Sequence, residues 1–137
     1  MTEALHIRGE SADDVPAISA LVQDMAVKAG ELAWLPAQRR LALVGNRFRW
    51  EAKDATRVRS ALRIDHVRSA QRLDWPPDGA TVLALLAIET AIEMAGERLT
   101  LVFSGGAALR LEAEVIDISL DDISGPWGAS SRPKHRL

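Results

Sequence analysis

The sequence contains no cysteine. A disulfide framework, a thiolate zinc site and a cysteine nucleophile are therefore excluded together. Long apolar runs are also missing. The longest, near Val82 to Ile88, is too short to cross a bilayer as a helix. The opening MTEALHIRGE has no basic region followed by an apolar segment, so no secretory signal is expected. Histidine is scarce, with only His6, His66 and His135, and no H-x-x-x-H spacing links them. "FSGGA" lacks the lysine and spacing of a phosphate loop, and "DISLDDIS" lacks the glycine of a calcium loop. These absences leave no catalytic, cofactor-binding or metal-binding residue to nominate. They point to a soluble cytoplasmic protein with no cofactor and no membrane partner.

What is present is a chain of 137 residues, 47 % hydrophobic and 26 % charged, enough to bury the core of one domain. One helix is legible over about 12–25. Ser11, Asp13 and Asp14 suit its N-terminus. Ile18, Leu21, Val22 and Met25 then recur on one face, and Pro16 fits only in the first turn.

Beyond it the period changes to two. Alternating runs occur in "ELAWLP", "RRLALV", "RFRWE", "ALRIDHV" and "RLTLVF", and again in "ALRLEAEVIDISL". Gly45-Asn46 sits where a bulge or tight turn would fit, and Gly105-Gly106 where a hairpin would. "TVLALLAIETAIEM" allows a helix by composition, but its alternation argues for a strand. Residues 124–137 show no period and read as an irregular tail.

Self-similarity links the strands. Arg40–Val44 matches Arg98–Val102 at an offset of 58, and Ala61–Ile64 matches Ala108–Leu111 at an offset of 47. Leu73-Asp74 likewise matches Leu120-Asp121. The expected fold is a β-dominated α+β single domain over 1–137. One N-terminal helix would accompany six to seven antiparallel strands. Two duplicated meanders, about 26–74 and about 81–123, could form a sandwich or barrel. A pleckstrin-homology-like barrel is the alternative, although there the helix would not come first.

The phrases "LAWLPAQRRLALVGNRFRWE", "LTLVFSGGAALRLEAEVIDISLDDI" and "PWGASSRPKH" resemble those of a family of alphaproteobacterial single-domain proteins of about this length, known only as a domain of unknown function. The resemblance implies a bacterial protein and brings no activity, cofactor or site residue with it.

Charge is segregated. Residues 36–75 hold ten basic residues against four acidic ones, a net of +6, while the remainder holds seven against fifteen, a net of −8. Nine of the ten are arginines, which fork onto phosphate or carboxylate and stack on aromatic faces. The candidate interaction surface is Arg39, Arg40, Arg47, Arg49, Trp50, Arg57, Arg59 and Arg63. If Phe48 and Trp50 face inward, Arg47 and Arg49 form an exposed stripe. If they lie in a loop, they could stack on single-stranded nucleic acid. Alternatively, the basic half pairs with the acidic half. Three functions follow: a non-catalytic module that binds a protein partner or itself, a nucleic-acid binder, or an enzyme with a site between the meanders.

Overall fold

The structure is a computed structural model that describes residues 4–128. Its strands are β1 (His6–Gly9), β2 (Met25–Lys28), β3 (Leu32–Leu35), β4 (Arg40–Phe48), β5 (Thr56–Ile64), β6 (Val67–Leu73), β7 (Val82–Glu93), β8 (Gly96–Phe103), β9 (Ala108–Ala113), β10 (Ile118–Asp122) and β11 (Trp127–Gly128). The one α-helix among the described residues, α1, spans Val15–Val22.

A 3₁₀ turn over Ala12–Asp14 leads into α1. The backbone N–H groups of Glu10 and Ser11 donate to Asp14 Oδ2 at 2.9 and 3.2 Å. Above all the Glu10 amide holds the Asp14 carboxyl below its ordinary value, although some desolvation opposes it. Pro16 occupies the first turn, where its missing N–H costs nothing. The helix is shorter than expected. Asp24 turns the chain with φ of 63°, so Met25 begins β2 instead of closing the helical face. Val15, Ile18 and Val22 remain as the buried stripe of α1.

The strands form one open antiparallel sheet in the order β1-β10-β5-β4-β2-β7-β8-β9-β6. Short β3 lies beside β2 along the edge of β4, and β11 lies beside β10 along the edge of β5. Among the described residues there are eleven strands where six to seven were expected, and the sheet is not a closed barrel. The short strands β1, β2 and β11 have two to four residues each, too few to establish a period. Residues 82–93 are indeed a strand, paired with β2 at one end and β8 along the rest.

The pairing also departs from two local meanders. β5 pairs with β10 and not with β6, while β9 pairs with β6 and not with β10. Each third strand is thus hydrogen-bonded to the other half of the chain. Alternation says which face a strand buries but not which neighbour it takes.

Gly45 makes no turn. β4 runs straight through it, because β2 crosses so closely that a Cβ there would sit 2.6 Å from the Ala26 carbonyl oxygen. Gly105 and Gly106, at φ of 73° and 81°, do make the expected turn between β8 and β9. The core lies between one face of the sheet and α1. Leu41, Leu43, Leu62, Ile64, Leu99 and Leu101 are among its buried members, with α1 packed against them.

Candidate binding site

Arg47 is the largest fully buried side chain, at 0 % exposure. It lies on the opposite face of β4 from Phe48, which is also 0 % exposed, so both faces of the strand are covered here. Its guanidinium forks onto Glu51 at 2.8 and 2.9 Å and reaches both Asp122 oxygens at 3.1 Å. Asp122 also accepts from Ser60 Oγ at 2.7 Å and from the Leu5 backbone N–H at 2.8 Å. Burial alone would lower the Arg47 pKa, but Glu51 and Asp122 outweigh it and hold the guanidinium above its ordinary value. Burial, the largest influence, pushes the Glu51 carboxyl up, and the Arg47 hydrogen bond, the Glu51 backbone amide and the Arg47 charge together outweigh it, leaving the carboxyl lowered.

Arg49 is 2 % exposed and donates to Thr56 Oγ1 at 2.8 Å, with Asp54 at 3.4 Å. The exposed stripe that alternation suggested for Arg47 and Arg49 is thus absent. The register of β4 runs unbroken from Leu41 to Phe48, so Arg47 shares the core-side face of Leu41 and Leu43, where Ser60 and Asp122 also lie, and Phe48 takes the other face. Trp50 is no free platform: its Nε1–H donates to the Gln23 carbonyl at 2.9 Å and its ring meets Phe48 edge-on at 4.7 Å. It fastens the loop after β4 to the end of α1.

The remaining arginines are also engaged. Arg40 and Arg63 share Asp65, at 2.6 and 3.1 Å, and Arg59 meets Glu31 at 2.5 Å. Arg57 donates to the Asn46 carbonyl at 2.9 Å and lies over the Phe48 ring at 5.9 Å. Arg39 pairs with Glu114. Arg39–Glu114 and Arg47–Asp122 join the basic segment to the acidic one. Within the basic segment, Lys53, Arg68 and Arg72 make no ion pair among the described residues.

The histidines are dispersed. His6 meets Asp121 at 2.9 Å, and His66, in the β5–β6 turn, meets Asp117 at 3.3 Å. His135 lies outside the described residues. Among the described residues no group of three or more His, Asp or Glu side chains is placed to hold a metal.

A cleft opens at the seam where the sheet fails to close. The last strand, β6, faces the β3 side of β4, and the two are tied near one end, where the Val67 N–H donates to the Arg39 carbonyl at 2.9 Å. Beyond that tie no strand pairing joins β3 to β6. Between them lies a space of about 230 Å³ lined by Leu32, Trp34, Leu41, Ala70, Arg72 and Leu109. Ala70 and Arg72 point to the core face, because they stand opposite buried Leu111 and Leu109 of β9. Arg72 is therefore a cation without a carboxylate partner, at the mouth of an otherwise apolar slot.

Sequence reasoning missed Trp34, Ala70 and Arg72. A register shift between Val67 and Ser69 breaks the alternation in "VRSAQRL", so Arg72 reads as an outward residue until the pairing with β9 is known.

These features define an open antiparallel β protein with one covering helix, an interior ion-pair network and a slot at its unclosed seam. The family described as "Protein of unknown function (DUF2948)" matches residues 5–135, and the chain belongs to that family. No curated protein and no solved structure matches it. No helix among the described residues is long and apolar enough to cross a membrane.

Proposed function

We propose that this chain is a non-catalytic protein-interaction module whose seam receives an extended segment of a partner protein. The observation that carries the reading is the slot between β3 and β6, bordered by two strand edges that pair with no strand there. Such edges offer backbone donors and acceptors to an added strand, while the slot takes one apolar side chain. Arg72 favours an acidic residue nearby on that segment. The paired state of Arg39, Arg40, Arg47, Arg49, Arg59 and Arg63 supports assigning those arginines to internal cohesion before nucleic-acid contact.

A photo-crosslinking side chain placed at Ala70 in the native cell tests this. The expected result is a discrete adduct to one other polypeptide, absent when the same side chain replaces Lys53. Labelling at Ala70 that is no greater than at Lys53 overturns the reading.

The same fold supports descent by internal duplication. Leu41 stands opposite Ile64, and Leu99 opposite Leu111, which is the register that the two repeat offsets require.

A further inference from the structure

Strand β7 outruns its neighbours. Its first residues, Val82 to Leu85, pair with β2, and α1 packs beside it next. There the Ile88 N–H points away from β8 and donates to Ser19 Oγ at 2.9 Å. Peptide direction alternates along a strand. The N–H and C=O groups of Thr90 and Ile92 therefore also point away from β8, and they make no backbone hydrogen bond among the described residues. Two exposed apolar side chains sit at the end of this open edge. Ile92 is 85 % exposed, and Met94 in the following turn is fully exposed.

The edge is self-complementary. An antiparallel partner related by a two-fold axis through Ala91 sets Thr90 opposite the partner's Ile92 and Ile92 opposite the partner's Thr90. Both are then hydrogen-bonded pairs, each exchanging two bonds, so every free peptide group of the edge finds a mate. Ala91 faces itself across the axis, in the narrow non-hydrogen-bonded position, where a small side chain lets the backbones approach.

Charge opposes the pairing at the same axis. Glu89 and Glu93 share a face with Ala91, and Arg98 stands opposite Ala91 on β8, where it meets Glu93 at 3.2 Å. Arg98 is also held by Glu112 at 2.8 Å, so Glu89 opposite the partner's Glu93 is a like-charge pair on each side of the axis, a cost that the backbone pairing must outweigh. We propose that a second copy of this chain pairs edge to edge along Glu89–Glu93 of β7, forming a two-fold dimer with one continuous sheet. This interface is separate from the seam and stands independently of what the seam binds.

The absence of native cysteine provides a direct test. Across this axis, Ala91→Cys lies within disulfide reach of its own copy, whereas Glu89→Cys faces Glu93. Under mild oxidation the Ala91→Cys chain is expected to form a covalent dimer about tenfold faster than Glu89→Cys. In sedimentation equilibrium, Ile92→Pro removes an N–H that the monomer does not use, and it should yield monomer with an unchanged far-ultraviolet spectrum. Glu89→Lys creates two symmetric cross-strand ion pairs and should tighten the dimer roughly tenfold. A wild-type chain that stays monomeric at every concentration overturns the proposal. So does a dimer that survives Ile92→Pro, or crosslinking no faster at 91 than at 89.

Discussion

Arg47 and Asp122 are 75 positions apart in the chain, yet they meet at 3.1 Å with side chains only 0 % and 2 % exposed. Their contact ties the end of β4 to β10, across the intervening β5. Removing one partner of such a pair leaves the other charge buried without compensation. Arg47→Met is therefore expected to cost about 3–5 kcal/mol in urea unfolding. Adding Asp122→Asn to it should recover part of that loss, because the stranded charge goes with it. A cost within the ordinary surface range of about 0.5 kcal/mol would show that the network contributes little.

The same network makes the fold sensitive to acid. The Glu51 carboxyl is lowered in the folded state against an ordinary value of 4.5. A lowered carboxylate contributes stability that is fully present above the unfolded-state value and is lost as pH falls through the folded-state value. Urea midpoints should thus hold steady from neutrality down to about pH 5 and decline below it. Glu51→Gln should flatten part of that decline. An identical acid profile in the variant would remove Glu51 as a contributor.

Gly45 is required by close approach of two backbones. A methyl group there meets the Ala26 carbonyl oxygen at 2.6 Å and Val27 Cγ2 at 2.9 Å. Gly45→Ala is expected to push β2 from β4 and cost roughly 1–3 kcal/mol, the range for overpacking. Gly125→Ala, which meets nothing within 4 Å, is the control and should leave the thermal midpoint in place.

Arg72 gives the opposite expectation. It breaks no ion pair among the described residues when replaced. Arg72→Glu should change stability by no more than about 0.5 kcal/mol. In the crosslinking assay from Ala70 it should nonetheless reduce adduct formation, since it reverses the charge that an acidic segment would meet. A stable Arg72→Glu chain with full adduct yield would detach this arginine from binding.

Much of the local structure was legible because it depends on neighbours in sequence. Pro16 and Asp14 mark where the helix starts, the alternation in "RRLALV" and "ALRI" marks strands β4 and β5, and Gly105-Gly106 marks a turn that needs positive φ. The site was hardly legible. Arg47 and Arg49 read as outward residues if Phe48 and Trp50 set the inward face, whereas the alternation continued from Leu41 and Leu43 turns Arg47 inward, and only the strand pairing brings Asp122 to it. Arg72 was hidden by a register shift in its own strand.

Composition by itself determined that no thiol chemistry operates here, and periodicity determined a β-dominated chain with one helix near its start. The tertiary structure alone decided which strands are neighbours. It also decided that the basic and acidic segments meet in the interior, and that the seam between β3 and β6 stays open. The physical reason is the range of the forces involved. Turn geometry and side-chain alternation act over a few residues. Strand pairing is a choice among edges that all present the same peptide groups, and it is made by packing across the whole sheet.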